Sequence, residues 1–82
     1  MQTKKLYVLT HNGGDGSYYP HYTFSEALID KMQAADEEGE LDYSWSDGDG
    51  FHYDFLTVPV ECTAESLGIS LMDEEIDGYL SS

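Results

Sequence analysis

Seventeen carboxylates share this chain with only three basic side chains, Lys4, Lys5 and Lys31, and with no arginine. Were every lysine paired, a formal charge of −14 would still have no partner within the chain. A folded chain of this length has a radius of gyration of roughly 12 Å, and within it such charges repel one another. A fold able to carry them must hold the acids at the surface and offset the repulsion by burying apolar side chains. The same sign of charge excludes direct binding to DNA, RNA or an anionic membrane, each of which calls for a positive surface.

The material for a core is present. Seven Tyr, three Phe and one Trp in 82 residues separate this chain from acidic disordered sequences, which are poor in aromatics. The length suits a single domain, residues 1–82. Cys62 has no second cysteine to pair with, so the fold is independent of disulfides. No apolar run approaches the ~18 residues of a membrane span, and the start MQTKKLYVLT has no signal-peptide core. A cytoplasmic location is expected.

Local patterns predict the elements. Residues 4–11 (KKLYVLTH) read as a strand, followed by a glycine-dense turn at 12–16 and a second strand over 17–23. Pro20 cannot donate to a ladder and places that strand at an edge. A loop of residues 12–16 sets His11 opposite Ser17, Leu9 opposite Tyr19 and Tyr7 opposite His21. Thr23 and Glu26 have the spacing of a capping box, with Thr23 capping Glu26. Phe24, Leu28, Met32 and Ala35 then recur at helical intervals, and Gly39 suits the left-handed residue beyond a helix end. A helix over 24–37 follows.

A second hairpin is expected around Ser46–Gly50. The register that makes one face wholly apolar pairs Trp45 with Phe51, Tyr43 with Tyr53 and Leu41 with Phe55. It sets Asp42 opposite Asp54 on the other face, where like charges require solvent. The shared segments Gly14-Asp15-Gly16 and Gly48-Asp49-Gly50 reflect turn chemistry used twice rather than duplication. Thr63–Leu67 predicts a helical turn ending at Gly68. Residues 69–82 form either a short acidic helix beginning near Ser70, with Met72, Ile76, Tyr79 and Leu80 as its apolar stripe, or a frayed tail. The expected fold is α+β in the order ββαββ: an antiparallel sheet of two hairpins, a helix on one face, and this acidic C-terminal segment.

Chemical motifs are scarce. Aligning Gly50 with the glycine of an EF-hand loop puts Trp45 and Leu56 where ligands are needed, so no calcium site is expected. The three histidines lack metal-ligand spacing, and the predicted register keeps His11 and His21 apart, so neither a metal nor a cofactor is expected. Cys62 lies among Glu61 and Glu65, which oppose thiolate formation. The glycine-rich turn at 12–16 matches no phosphate-binding pattern. Nothing in the sequence implies an enzyme.

The spacing of the acids is what remains. They fall at Asp36, Glu37, Glu38, Glu40 and Asp42, again at Asp47, Asp49 and Asp54, and again from Asp73 to Asp77. Carboxylates two apart on a strand or four apart on a helix repeat every ~6–7 Å, comparable to successive phosphates on a nucleic-acid strand. These intervals suit a nucleic-acid mimic that binds the basic surface of a DNA- or RNA-handling protein. Asp36, Glu37, Glu38, Glu40, Asp42, Asp47, Asp49 and Asp54 are the candidate contacts, with Trp45 or Tyr19 as aromatic anchors. In being short, acidic, α+β and free of catalytic motifs, the chain is similar to phage-encoded DNA-mimic inhibitors of restriction or CRISPR systems. The resemblance is compositional and assigns no binding residues. Two other readings of the charge stand beside it: a general acidic interaction or accessory domain, and adaptation of the protein to high salt.

Overall fold

The computed structural model describes residues 2–13, 17–46 and 50–81. Its centre is a three-stranded antiparallel sheet in the order β2-β1-β3, made of β1 (Thr3–Asn12), β2 (Tyr18–Thr23) and β3 (Asp54–Pro59). β1 is the middle strand because its alternation serves both faces and its backbone serves both neighbours. Gly13 N–H donates to Ser17 C=O and Val60 N–H to Gln2 C=O. Carried along the ladders by antiparallel alternation, these bonds turn the odd-numbered peptide groups of β1 toward β2 and the even-numbered ones toward β3.

The first hairpin forms as expected, with its register moved by two residues. His11 lies opposite Tyr19, Leu9 opposite His21 and Tyr7 opposite Thr23. A shift of two preserves the face of every side chain, which is why the apolar pattern could not distinguish the registers. β2 is an edge strand, and the alternation points the nitrogen of Pro20 away from β1, where a missing donor costs nothing.

Helix α1 spans Glu26–Glu37 and buries Leu28, Ile29, Met32 and Ala35. Its N-cap is Ser25, whose hydroxyl accepts the Leu28 N–H at 3.1 Å. Thr23, expected as the cap, is instead buried at the end of β2 and accepts the Ser25 N–H at 3.0 Å. Both residues can cap; the strand claims Thr23 first. At the other end Glu38 closes the helix and Gly39 turns left-handed, with φ of 73°.

The second hairpin does not form. Residues Tyr43–Ser46 make a single helical turn, α2, and β3 pairs with β1, placing Phe55 opposite Tyr7 and Asp54 opposite Val8. The ββαββ layout is therefore corrected to three strands with short helices between and after them. Leu41 and Trp45 are separated by four residues, a spacing that satisfies strand alternation and helical periodicity equally. Helical geometry prevails here because the Asp42 carboxylate accepts both the N–H and the hydroxyl of Ser44, each at 3.0 Å. Meanwhile the even-numbered peptide groups of β1 need a partner, and 54–59 supplies it. Leu41, Trp45 and Phe51 still enter the core, whereas Tyr43, Tyr53 and Phe55 do not.

After β3 the chain forms α3 (Ala64–Leu67), capped by Thr63 and ended by left-handed Gly68, as the sequence predicts. The C-terminal segment docks. It does so as a 3-10 turn at Ile76–Tyr79 rather than as a helix from Ser70. Met72, Ile76, Tyr79 and Leu80 pack on the core formed by Tyr7, Leu9, the buried face of α1, Leu41, Trp45 and Phe51. The molecule measures 40 × 26 × 20 Å. Among the described residues no helix is long and apolar enough to cross a membrane.

Candidate functional site

Positions 26, 30 and 37 of α1 fall within a narrow arc of the helix opposite its buried stripe, so Glu26, Asp30 and Glu37 form an exposed row. With a rise of ~1.5 Å per residue, the row extends about 16 Å. Its negative potential reaches inward: the Tyr7 hydroxyl is held above its ordinary pKa by burial first, then by Glu26, Tyr53 and Asp30.

A second row runs in the same direction along the flank of α1. At the helix N-terminal end, Met72 N–H donates to Tyr22 C=O at 2.8 Å, and Glu74 lines a hollow with Thr23, Phe24 and Ser25. At the other end, Asp42 N–H donates to Tyr79 C=O at 3.0 Å and Ser81 N–H to Glu40 C=O at 2.8 Å. Between these anchors Asp73, Glu74, Glu75 and Asp77 are all exposed. The Tyr79 hydroxyl ties the segment to itself by donating to the Asp73 carbonyl at 2.7 Å. Its pKa is raised by burial and by the Asp73 charge.

The lysines do little to neutralise these rows. Lys4 donates to the Cys62 carbonyl and lies over the Phe24 ring, and Lys5 lies over the Phe55 ring. Lys31 is exposed on α1, and the residues three and four away from it are Ala27, Leu28, Ala34 and Ala35. None can pair with it at helical spacing.

The residues singled out from the sequence divide into groups. Glu37, Glu38 and Glu40 are exposed at the C-terminal end of α1, where the Ser81 N–H bonds to the Glu40 carbonyl. Asp36 is half-buried, and its carboxylate accepts the Phe51 N–H at 3.1 Å, pinning the segment after residue 50 to the helix. Asp42 caps α2 as described. These two carboxylates hold the fold. Asp54 belongs to β3 and shares a sheet face with Leu6 and Val8, away from α1. Asp47 and Asp49 lie outside the described residues.

Trp45 is 8% exposed and is withdrawn from the surface. Its ring centroid lies 4.6 Å from that of His11, 5.2 Å from His21 and 5.2 Å from Tyr79. The two imidazoles, expected to be apart, are 5.8 Å from each other. The two-residue change in register makes them diagonal neighbours on one face, within reach of aromatic side chains. The pKa of His21 is lowered by burial and then by His11. No group of three or more His, Cys, Asp or Glu side chains poised around a metal position occurs among the described residues.

Tyr43 follows Asp42 and is 70% exposed. The expected hairpin directed it inward, so the sequence pattern concealed it. Tyr19 is exposed on β2. The chain matches no family model, no curated protein and no solved structure.

Proposed function

We propose that the chain is an acidic protein-binding module whose carboxylate rows occupy a basic surface that a partner uses for DNA or RNA, thereby inhibiting that partner. The observation that carries the proposal is the pair of rows beside α1: Glu26, Asp30 and Glu37 on the helix, and Asp73, Glu74, Glu75 and Asp77 on the segment packed along it. The segment is held beside the helix by backbone bonds at both ends, Met72 N–H to Tyr22 C=O and Asp42 N–H to Tyr79 C=O. Tyr43, exposed directly after Asp42, provides a ring to bury against the partner.

Competition with nucleic acid tests the proposal. A partner purified from the native host should release a labelled DNA or RNA duplex when the protein is added. Its affinity for the protein should weaken as salt rises, because neutralised phosphate-like charges are screened. A variant carrying Asp30→Asn, Glu37→Gln, Glu74→Gln and Asp77→Asn should fold and fail to displace the duplex. If that variant displaces the duplex as well as the wild type does, the rows are not the contact surface. A partner that binds through surfaces unrelated to nucleic acid would favour a general interaction domain.

A further inference from the structure

The three-stranded sheet has two edges, and they are protected unequally. On β2, Pro20 interrupts the free edge, and Tyr22 is bridged by Leu71, whose neighbour Met72 takes the Tyr22 carbonyl. On β3 the devices that discourage strand addition lie only at the ends. Asp54 opens the strand, and Pro59 closes it with its carbonyl already engaged by the Cys62 N–H at 3.0 Å. Between them Phe-Leu-Thr-Val carries no charge, no proline and no bulge, the usual means by which an edge is blunted.

The backbone orientation of this edge follows from the ladder. Because Val60 N–H bonds to Gln2 C=O, alternation turns residues 54, 56 and 58 toward β1 and residues 55 and 57 outward. Phe55 and Thr57 therefore each present an N–H and a C=O to solvent, a template for four hydrogen bonds. Side chains flank the template on both faces: Phe55 is 50% exposed and Leu56 57%, with Tyr53 and Val60 exposed at either end. Among the described residues no strand adjoins this side of β3.

We propose that the free edge of β3 is a strand-addition site for a short, extended, basic segment of a partner protein, hydrogen-bonded to Phe55 and Thr57. Main-chain pairing of this kind provides affinity, and the alternate side chains provide selectivity. Charge decides the occupant. Asp54 and Glu61 flank the template; Lys5, held over the Phe55 ring, offsets part of this locally, and the formal charge of −14 on the whole chain opposes a second copy and attracts a cationic strand. The proposal is independent of the carboxylate rows beside α1, which lie on other elements.

The test uses the full-length, isotope-labelled protein and two synthetic peptides. One is acetyl-Lys-Val-Lys-Val-Lys-amide; the other has the same sequence with alternate backbone nitrogens methylated, which preserves its charge and removes its donors toward β3. In the free protein the Phe55 and Thr57 amides should exchange rapidly with solvent. Saturation with the first peptide should slow both at least tenfold, and the methylated peptide should not. Thr57→Pro removes one outward donor and should abolish the protection. Equal effects of the two peptides would overturn the proposal by showing simple charge attraction, as would unprotected Phe55 and Thr57 amides at saturation. Protection that arises without peptide and grows with protein concentration would overturn the heterologous occupant in favour of a second copy.

Discussion

Replacing Asp36 by alanine separates an acid that holds the fold from the acids around it. The substitution removes the acceptor of the Phe51 N–H, a bond of 3.1 Å in a half-buried position. Hydrogen bonds to a charged partner contribute about 1.5–3 kcal/mol, and partial exposure favours the lower end, about 1.5 kcal/mol. Removing one negative charge gives some of this back. Two unit charges about 8 Å apart in water repel by about 0.5 kcal/mol, which salt at 0.15 M reduces to about 0.2 kcal/mol. With two such neighbours the relief is about 0.4 kcal/mol, and the net loss is about 1 kcal/mol. For a domain of this size that lowers Tm by about 4–8 °C. Asp36→Asn keeps a neutral acceptor and should lose less than half as much. Glu37→Gln, which removes only repulsion, should match or slightly exceed the wild type. Thermal unfolding followed by far-ultraviolet circular dichroism at 0.15 M NaCl gives the three values. An Asp36→Ala protein as stable as Glu37→Gln would refute the assignment of Asp36 to the fold.

Three further outcomes follow from the packing. Trp45→Ala empties the space among His11, His21 and Tyr79 and should cost about 3–5 kcal/mol, a large part of the roughly 4–12 kcal/mol available to a chain of this length. Urea unfolding should show Trp45→Phe retaining much of that, and a loss below about 1 kcal/mol for the alanine variant would contradict the core assignment. Gly39→Ala should cost about 1 kcal/mol through backbone conformation alone, because φ is 73° and a Cβ there would meet nothing within 4 Å; Gly39→Asn should recover part of it in the same assay. Because the folded-state pKa of His21 is lowered, the unfolded chain takes up its proton first as pH falls. The contribution of neutral His21 is then complete above the unfolded value near 6.5 and declines as pH drops below it. Wild type minus His21→Gln stability, measured from pH 7.5 to 5, should therefore fall with decreasing pH, and a flat difference would contradict it.

What the sequence reveals depends on whether its local and long-range demands agree. For α1 they do: the apolar stripe, the available caps and Gly39 indicate the same helix, and only the choice between Thr23 and Ser25 depended on where the strand stopped. The first hairpin was legible in its faces but not its register, since shifts of two are invisible to alternation. The second hairpin is not decided by the local pattern because Leu41 and Trp45 have a spacing common to both periodicities, and because the unpaired side of β1 is a demand made by a distant segment. The same ambiguity conceals the open edge of β3 and the exposure of Tyr43. For the acids, the sequence displayed the excess without assigning tasks. Asp36 and Asp42 are bound into local structure, Asp54 sits on the far face, and Glu26 and Asp30 join the rows although they stood outside the densest acidic runs.

A basic partner that reads the carboxylate rows must settle along α1 and the segment beside it. Amide chemical shifts of the labelled protein, followed while a purified nucleic-acid-binding partner is added at 0.15 M NaCl, locate it directly. The largest changes should fall on residues 26–40 and 73–77, saturate together, and disappear when excess duplex DNA is present. Changes spread evenly over all acidic positions, or concentrated elsewhere and indifferent to DNA, would contradict that placement.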